Sequence, residues 1–207
     1  APDFTNLIAP HGSTDSDASR RATIVPNQRM IDKAETQDEA AAYVPLMNMC
    51  IEAVAEAGLE PVLLVHEADD DTLAARIQER AEREVPIRQS PDPVALKRFL
   101  GGSHLVVGSR FHALVGALSQ GVPAIGTSWS HKYERLFEEY RCPDMLVSVS
   151  ASRERVQACV SAAVGEQRAP LTNRIRTAAA QLKQKTKSMW RAVDDLVFGA
   201  TSPERAE

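Results

Sequence analysis

Short apolar runs recur along the chain at regular intervals: Ala22-Thr23-Ile24-Val25, Val62-Leu63-Leu64-Val65, Val85-Pro86-Ile87-Arg88, His104-Leu105-Val106-Val107, Val122-Pro123-Ala124-Ile125 and Leu146-Val147. Between them the apolar positions switch to helical spacing. A helix is expected from about Pro45, with Met47, Cys50, Ile51 and Val54 on one face and Gly58 as its stop. Pro45 suits a first helical turn, where a missing N–H costs least. Further helices are expected from Asp71 to about Ala81, Pro91 to Leu100, Ser109 to Gln120, His131 to Tyr140, and onward from Ser152. The Val85–Arg88 strand is weakened by its proline. Strands that are apolar throughout, alternating with helices, predict a parallel sheet covered on both faces. Right-handed crossovers then make a doubly wound α/β domain of the Rossmann type.

Outside this rhythm lie two segments. Residues 1–21, rich in Pro, Gly, Ser and Asp, read as a linker with one sticky patch from Phe4 to Ile8. Residues 169–207 hold one long amphipathic helix, Leu171 to Val197, and a tail. Ile175, Ala179, Leu182, Met189, Val193 and Leu196 form its apolar stripe, and Arg174, Arg176, Lys183, Lys185, Lys187 and Arg191 its basic face. That face is either solvated or a docking surface for another domain. The expected lobe is therefore 22–168. The Ala1-Pro2-Asp3 start is no natural initiator and reads as a processed end or a fragment that has lost an upstream domain.

The 207 residues suffice for a core without metals or disulfides. Three scattered cysteines, Cys50, Cys142 and Cys159, indicate no disulfide framework and no metal site, and suit a reducing compartment. A net charge of −4 gives no reason to expect nucleic acid. No run is long enough to span a bilayer, and no signal peptide is visible. These features fit a cytoplasmic location.

In an open parallel sheet, ligands bind beyond the carboxyl ends of the strands. The residues just past the strand ends here are polar: Asn27 and Arg29; His66 and Glu67; Ser109, Arg110 and His112; Ser128, Trp129 and Lys132. The third set is the sharpest. Ser109 is a good N-cap, and Arg110 and His112 fall in the first turn of a helix whose buried stripe is Phe111, Leu114, Val115 and Leu118. Free backbone N–H groups and the helix dipole there favour an anion. His112, drawn down by the dipole and up by a bound dianion, suits proton transfer. Equally, Arg110 can pair with an acidic residue and His112 with a loop carbonyl. Lys132 can reach the same crevice if its strand is the neighbour, or it is a surface lysine. His66 and Glu67 can orient a hydroxyl-bearing substrate, or Glu67 caps the next helix. Trp129 reads as a partly buried loop anchor. No Walker A, GxGxxG, GxSxG or metal motif is present.

The run Val106-Val107-Gly108-Ser109-Arg110-Phe111-His112-Ala113-Leu114, followed by Gly121-Val122-Pro123-Ala124-Ile125-Gly126 and Lys132, resembles the C-terminal half of the polysaccharide pyruvyltransferase family. Leu63–Glu67 with Asp70 or Asp71 is similar to its preceding strand-end motif, and Asp3–Leu7 to the segment before its second lobe. The resemblance implies one Rossmann-like lobe, similar to the C-terminal half of a GT-B fold, with an N-terminal lobe missing. It implies transfer of pyruvate from phosphoenolpyruvate, as a ketal, onto a sugar or glycan acceptor, with no other cofactor. His112 and Lys132 are then the catalytic pair at the donor, and Ser109, Arg110, Ser128, His66, Glu67, Asn27 and Arg29 candidate binding residues. A lipid-linked acceptor would place the protein at the membrane periphery. Two other readings stay open: a nucleotide-sugar-binding lobe of a GT-B glycosyltransferase or epimerase-like enzyme, and a non-catalytic glycan-binding lobe.

Overall fold

The apolar runs pair in parallel. In the computed structural model, which describes residues 3–8, 20–127 and 130–199, they form one six-stranded sheet. In chain order the elements are β1 (Arg21–Val25), α1 (Arg29–Asp32), α2 (Gln37–Glu56), β2 (Glu60–Val65), α3 (Asp71–Arg80), β3 (Ile87–Gln89), α4 (Pro93–Gly101), β4 (Leu105–Gly108), α5 (Phe111–Leu118), β5 (Ala124–Thr127), α6 (His131–Glu139), β6 (Leu146–Val147), α7 (Arg153–Val164) and α8 (Arg168–Phe198). The spatial order is β3-β2-β1-β4-β5-β6, with every pairing parallel. The doubly wound α/β fold read from the sequence is the one observed.

Strand order reverses between β1 and β4, so their carboxyl ends splay and open the crevice where ligands bind in such sheets. The two strands approach closely. A Cβ on Gly108 would lie 2.9 Å from Val25 Cβ and from Val25 O. Gly108 is thus required by close approach of two backbones. On one face α2 packs against α3 and α7; on the other, α5 packs against α4 and α8. The core runs through both layers, with Ile24, Leu63, Val106 and Ile125 from the sheet fully enclosed. All three cysteines are buried and free.

Two expectations are corrected. The second helix begins at Gln37, a full two turns before Pro45, which sits inside it. Thr36 caps it, accepting from the Glu39 N–H at 3.2 Å, while Glu39 accepts from the Glu35 N–H at 3.0 Å. The reciprocal capping outweighs the missing N–H of one exposed proline. Helix α5 begins at Phe111, with Arg110 as its cap residue and no side-chain cap bond. Ser109 is not the cap; its hydroxyl is engaged inside the sheet edge.

The segment around Phe4 forms a 3-10 turn, Phe4–Leu7, that lies on α5 and α8. Asn6 donates to Thr186 at 3.1 Å, and the Lys97 ammonium donates to Thr5 O at 2.5 Å. No described helix is long and apolar enough to cross a membrane.

Candidate functional site

The carboxyl edge is built on a buried polar network centred on Ser109. Its hydroxyl bonds Tyr43 at 2.7 Å and also Thr127. Its carbonyl accepts from Asn27 Nδ2 at 2.8 Å and from the Tyr133 hydroxyl at 2.6 Å. Asn27 in turn accepts from the Arg29 N–H at 3.0 Å, and its own N–H donates to the Tyr43 hydroxyl at 3.0 Å. These bonds tie the ends of β1, β4 and β5 and the first turn of α6 into one rigid unit. Burial raises the pKa of Tyr43 and of Tyr133, so both stay as neutral donors. Ser109 is fully enclosed. It organises the edge and does not itself face the crevice.

Arg110 is placed differently from the anion-holding role expected of it. Its guanidinium is buried and makes a bidentate pair with fully enclosed Asp70, at 2.8 and 2.6 Å. A third nitrogen reaches Glu67 at 2.5 Å. Burial works against the charge, but the two carboxylates more than restore it, so its pKa stands above the usual value. Asp70 also accepts from the Gln28 N–H at 2.8 Å, which fixes the turn leading into α1. Arg110 therefore positions its neighbours, and the alternative reading, pairing with an acidic residue, is the one the structure shows.

The free cations lie beside this network. A crevice of about 330 Å³ is lined by Asn27, Arg29, Met30, Lys33, Ser130, Lys132 and Tyr133. Arg29 opens α1 and Lys33 is the residue that ends it, one turn on, while Lys132 is at the start of α6. No carboxylate is among these lining residues; Asp32, on the same helix, is held by Gln28 at 2.8 Å. Three cations and an amide without a counter-charge make a site for a small multivalent anion. Lys132 lies 5.2 Å from the ring centres of both Phe111 and Tyr133, a cation–π position that orients it. It also lines a second cavity of about 320 Å³ with Asp3, Asn6, Arg135 and Glu139.

His112 is edge-on to the ring of Phe111, with centroids 5.7 Å apart. Its side chain is 61% exposed and its Nε2 is 3.6 Å from Asp3. His66 and Glu67 line a groove of about 650 Å³ at the ends of β2 and β3, which shares no lining residue with the cationic crevice; its Glu67 pairs with Arg110. Thus Asn27, Arg29 and Lys132 line one crevice. Ser109 and Arg110 are walled in behind them, and His66 and Glu67 belong to a neighbouring groove. Ser128 and Trp129 lie outside the described residues. His131 is exposed and pairs with Glu134 at 2.9 Å. Sequence reasoning missed Lys33, whose i, i+4 spacing from Arg29 was a usable signal, and Tyr43, whose contact with Ser109 spans the fold.

Fold and site together define a doubly wound α/β lobe with a cationic crevice at its carboxyl edge. Among solved structures, a spinosyn rhamnosyltransferase complexed with thymidine diphosphate matches with a TM-score of 0.56, 15% identity, and 90% of this chain against 50% of that one. The glycotransferase of kitacinnamycin matches at 0.51, with 12% identity, 89% of this chain and 46% of that one. The chain thus spans about half the length of these glycosyltransferases and shares the fold of one of their two halves. A search of curated proteins finds no match. The polysaccharide pyruvyl transferase family profile covers residues 1–131, from the first turn to the start of α6. The chain belongs to that family.

Proposed function

We propose that this chain is the donor-binding lobe of a pyruvyltransferase, taking phosphoenolpyruvate in the Arg29–Lys33–Lys132 crevice and passing its pyruvyl unit to a sugar as a ketal. The observation that supports this best is the crevice itself: three cations, no carboxylate in the lining, and a position at the switch point. Phosphoenolpyruvate carries a phosphate and a carboxylate on a three-carbon skeleton, and needs that density of positive charge. His112, which like Lys132 lies against the ring of Phe111, would protonate the enol methylene. The resulting oxocarbenium-like carbon is attacked by a sugar hydroxyl, and the developing charge on the departing phosphate is held by Lys132 and Arg29.

The test is ligand-induced thermal stabilisation. Phosphoenolpyruvate should raise the melting temperature of the wild-type protein more than equimolar inorganic phosphate does. Lys132→Ala and Arg29→Ala should each remove most of that shift. His112→Ala should keep both the fold and the shift but abolish ketal formation in the complete enzyme. The matched rhamnosyltransferase carries thymidine diphosphate, so a nucleotide diphosphate is the second candidate for the crevice. Stabilisation by thymidine diphosphate with none by phosphoenolpyruvate would establish that reading instead.

A further inference from the structure

The pyruvyltransferase reading gives the cationic crevice to the donor and leaves the groove at the ends of β2 and β3 without an occupant. Its walls are amphipathic in a particular way. Pro91 and Pro93 stand along one side, and Leu96 with Val65 lies at its base; His66, Glu67, Gln89 and Ser90 supply the polar atoms. No lysine or arginine lines it, and Glu67 repels anions. A neutral ligand with an apolar face and several hydroxyls fits this lining. Gln89, Pro91 and Pro93 are exposed, so the groove is open along its length and admits one unit of a longer chain. The Asp92 carboxylate accepts from the Val94 N–H, 2.8 Å away, as the cap of α4. The Ser90 hydroxyl accepts from the Asp92 N–H at 3.2 Å, which leaves its own proton to give.

We propose that this groove is the acceptor subsite, that it takes a hexopyranose ring, and that His66 receives the proton of the hydroxyl that attacks the donor. The proposal rests on the donor reading above. Glu67, in the groove lining, is pinned to Arg110, and Arg110 and His112 both act electrostatically on His66, which sets the groove beside that corner of the sheet edge. The Nδ1 of His66 is enclosed and unpartnered, so exchange with a ligand runs through Nε2. Burial is the strongest influence on the ring and opposes its charged form; Glu67 and Asp70 favour that form, and Arg110 and His112 oppose it. Burial and the two cations prevail and hold its pKa below the ordinary histidine value, which leaves a lone pair free at neutral pH.

The chemistry balances with two histidines. One hydroxyl oxygen forms a bond to C2 of phosphoenolpyruvate and gives its proton to His66. The C2=C3 electron pair takes a proton from His112, turning the methylene into a methyl. The second hydroxyl then displaces phosphate from C2, and its proton leaves with the phosphate. No oxidant or reductant is involved.

Methyl α-D-gluco-, manno- and galactopyranoside are the probes, added to the 15N-labelled protein. Amide shifts confined to His66, Glu67, Gln89 and Ser90, which persist when phosphoenolpyruvate is present, are the expected result. Shifts centred on Lys33 and Lys132, or on Asn6 and Glu139, overturn the proposal. So do silence with all three glycosides and a larger response to thymidine. For the proton role, phosphate release is followed with the glycoside that binds. His66→Gln should lower kcat by about 100-fold and remove the acidic limb of its pH profile, with the phosphoenolpyruvate thermal shift unchanged. A His66→Gln enzyme with wild-type kcat and pH profile overturns that role. Absence of any phosphoenolpyruvate shift in the wild type would defeat the donor reading, while the glycoside shifts report on the groove independently.

Discussion

Asp70 is enclosed on every side, and its carboxylate joins three strand ends: it accepts twice from Arg110 after β4 and once from the Gln28 N–H after β1, while itself following β2. Removing it leaves the buried guanidinium with Glu67 as its one charged partner, and losing one partner of a buried pair costs about 3–5 kcal/mol. Asp70→Ala should lose that much in urea unfolding, and Asp70→Ala with Arg110→Met should recover a large part of it, because the desolvated charge goes as well. His66 adds a pH dependence of opposite origin. Its folded pKa lies below its unfolded value, so the unfolded chain binds more protons in acid. Stability should therefore fall as pH drops through about 6.5, the unfolded histidine value, and His66→Gln should flatten that decline. At this scale the sequence was half legible. Strand-end position alone picked out Asn27, Arg29 and Lys132, because the sheet rule needs only the strand boundaries. It could not separate Arg110, which is walled in, from Lys132, which is free, because the partner that decides the matter, Asp70, lies in another strand–helix connection.

Helices and strands were easier to read than their starts. The apolar runs located all six strands because a covered parallel strand leaves no polar alternation to confuse the reading. The second helix was started two turns late because Pro45 is a strong local signal and the Thr36-x-x-Glu39 box lies in a polar stretch. Thr36→Ala should destabilise by about 1 kcal/mol, measurable as a lower urea midpoint with an unchanged slope. The Phe4–Ile8 patch was visible as sticky, but its docking place was not, since Lys97 looks like any helix lysine. It is buried, and desolvation, reinforced by Lys183 and opposed by Asp3, lowers its pKa to about 8. Between that value and the ordinary 10.5 the unfolded chain binds the extra proton, so stability should rise with pH across this window. Lys97→Met should remove most of the rise in a pH series of urea midpoints, leaving the part that Lys183, also held below the ordinary value by burial, contributes. If the rise persists in full, the ammonium is solvated and the turn is held by Asn6 and Thr186 alone.

Across the whole molecule, the long helix α8 sets the limit of the lobe. Its apolar stripe is buried from Leu171 through Leu182, where it lies on α5 and α7, and Thr186 is the last enclosed position. The stripe does not stop there. Trp190, Val193 and Val197 continue it at helical spacing, and Leu196 and Phe198 are 86% and 77% exposed. Only Trp190 has a partner ring, Phe4 at 6.4 Å, among the described residues. The sequence showed one continuous stripe and held no hint of this change, because periodicity reports which face is apolar and not whether a neighbour is there to cover it. An exposed apolar end of this kind promotes association between copies without contributing to the core. Replacing Leu196 and Phe198 together by lysine should therefore leave the unfolding free energy within about 0.5 kcal/mol of wild type, as for other surface changes. The same double substitution should lower the concentration-dependent mass seen by sedimentation velocity. A loss of several kcal/mol instead would mean that the end of α8 folds back onto the lobe, and the apolar stripe would then be core along its whole length.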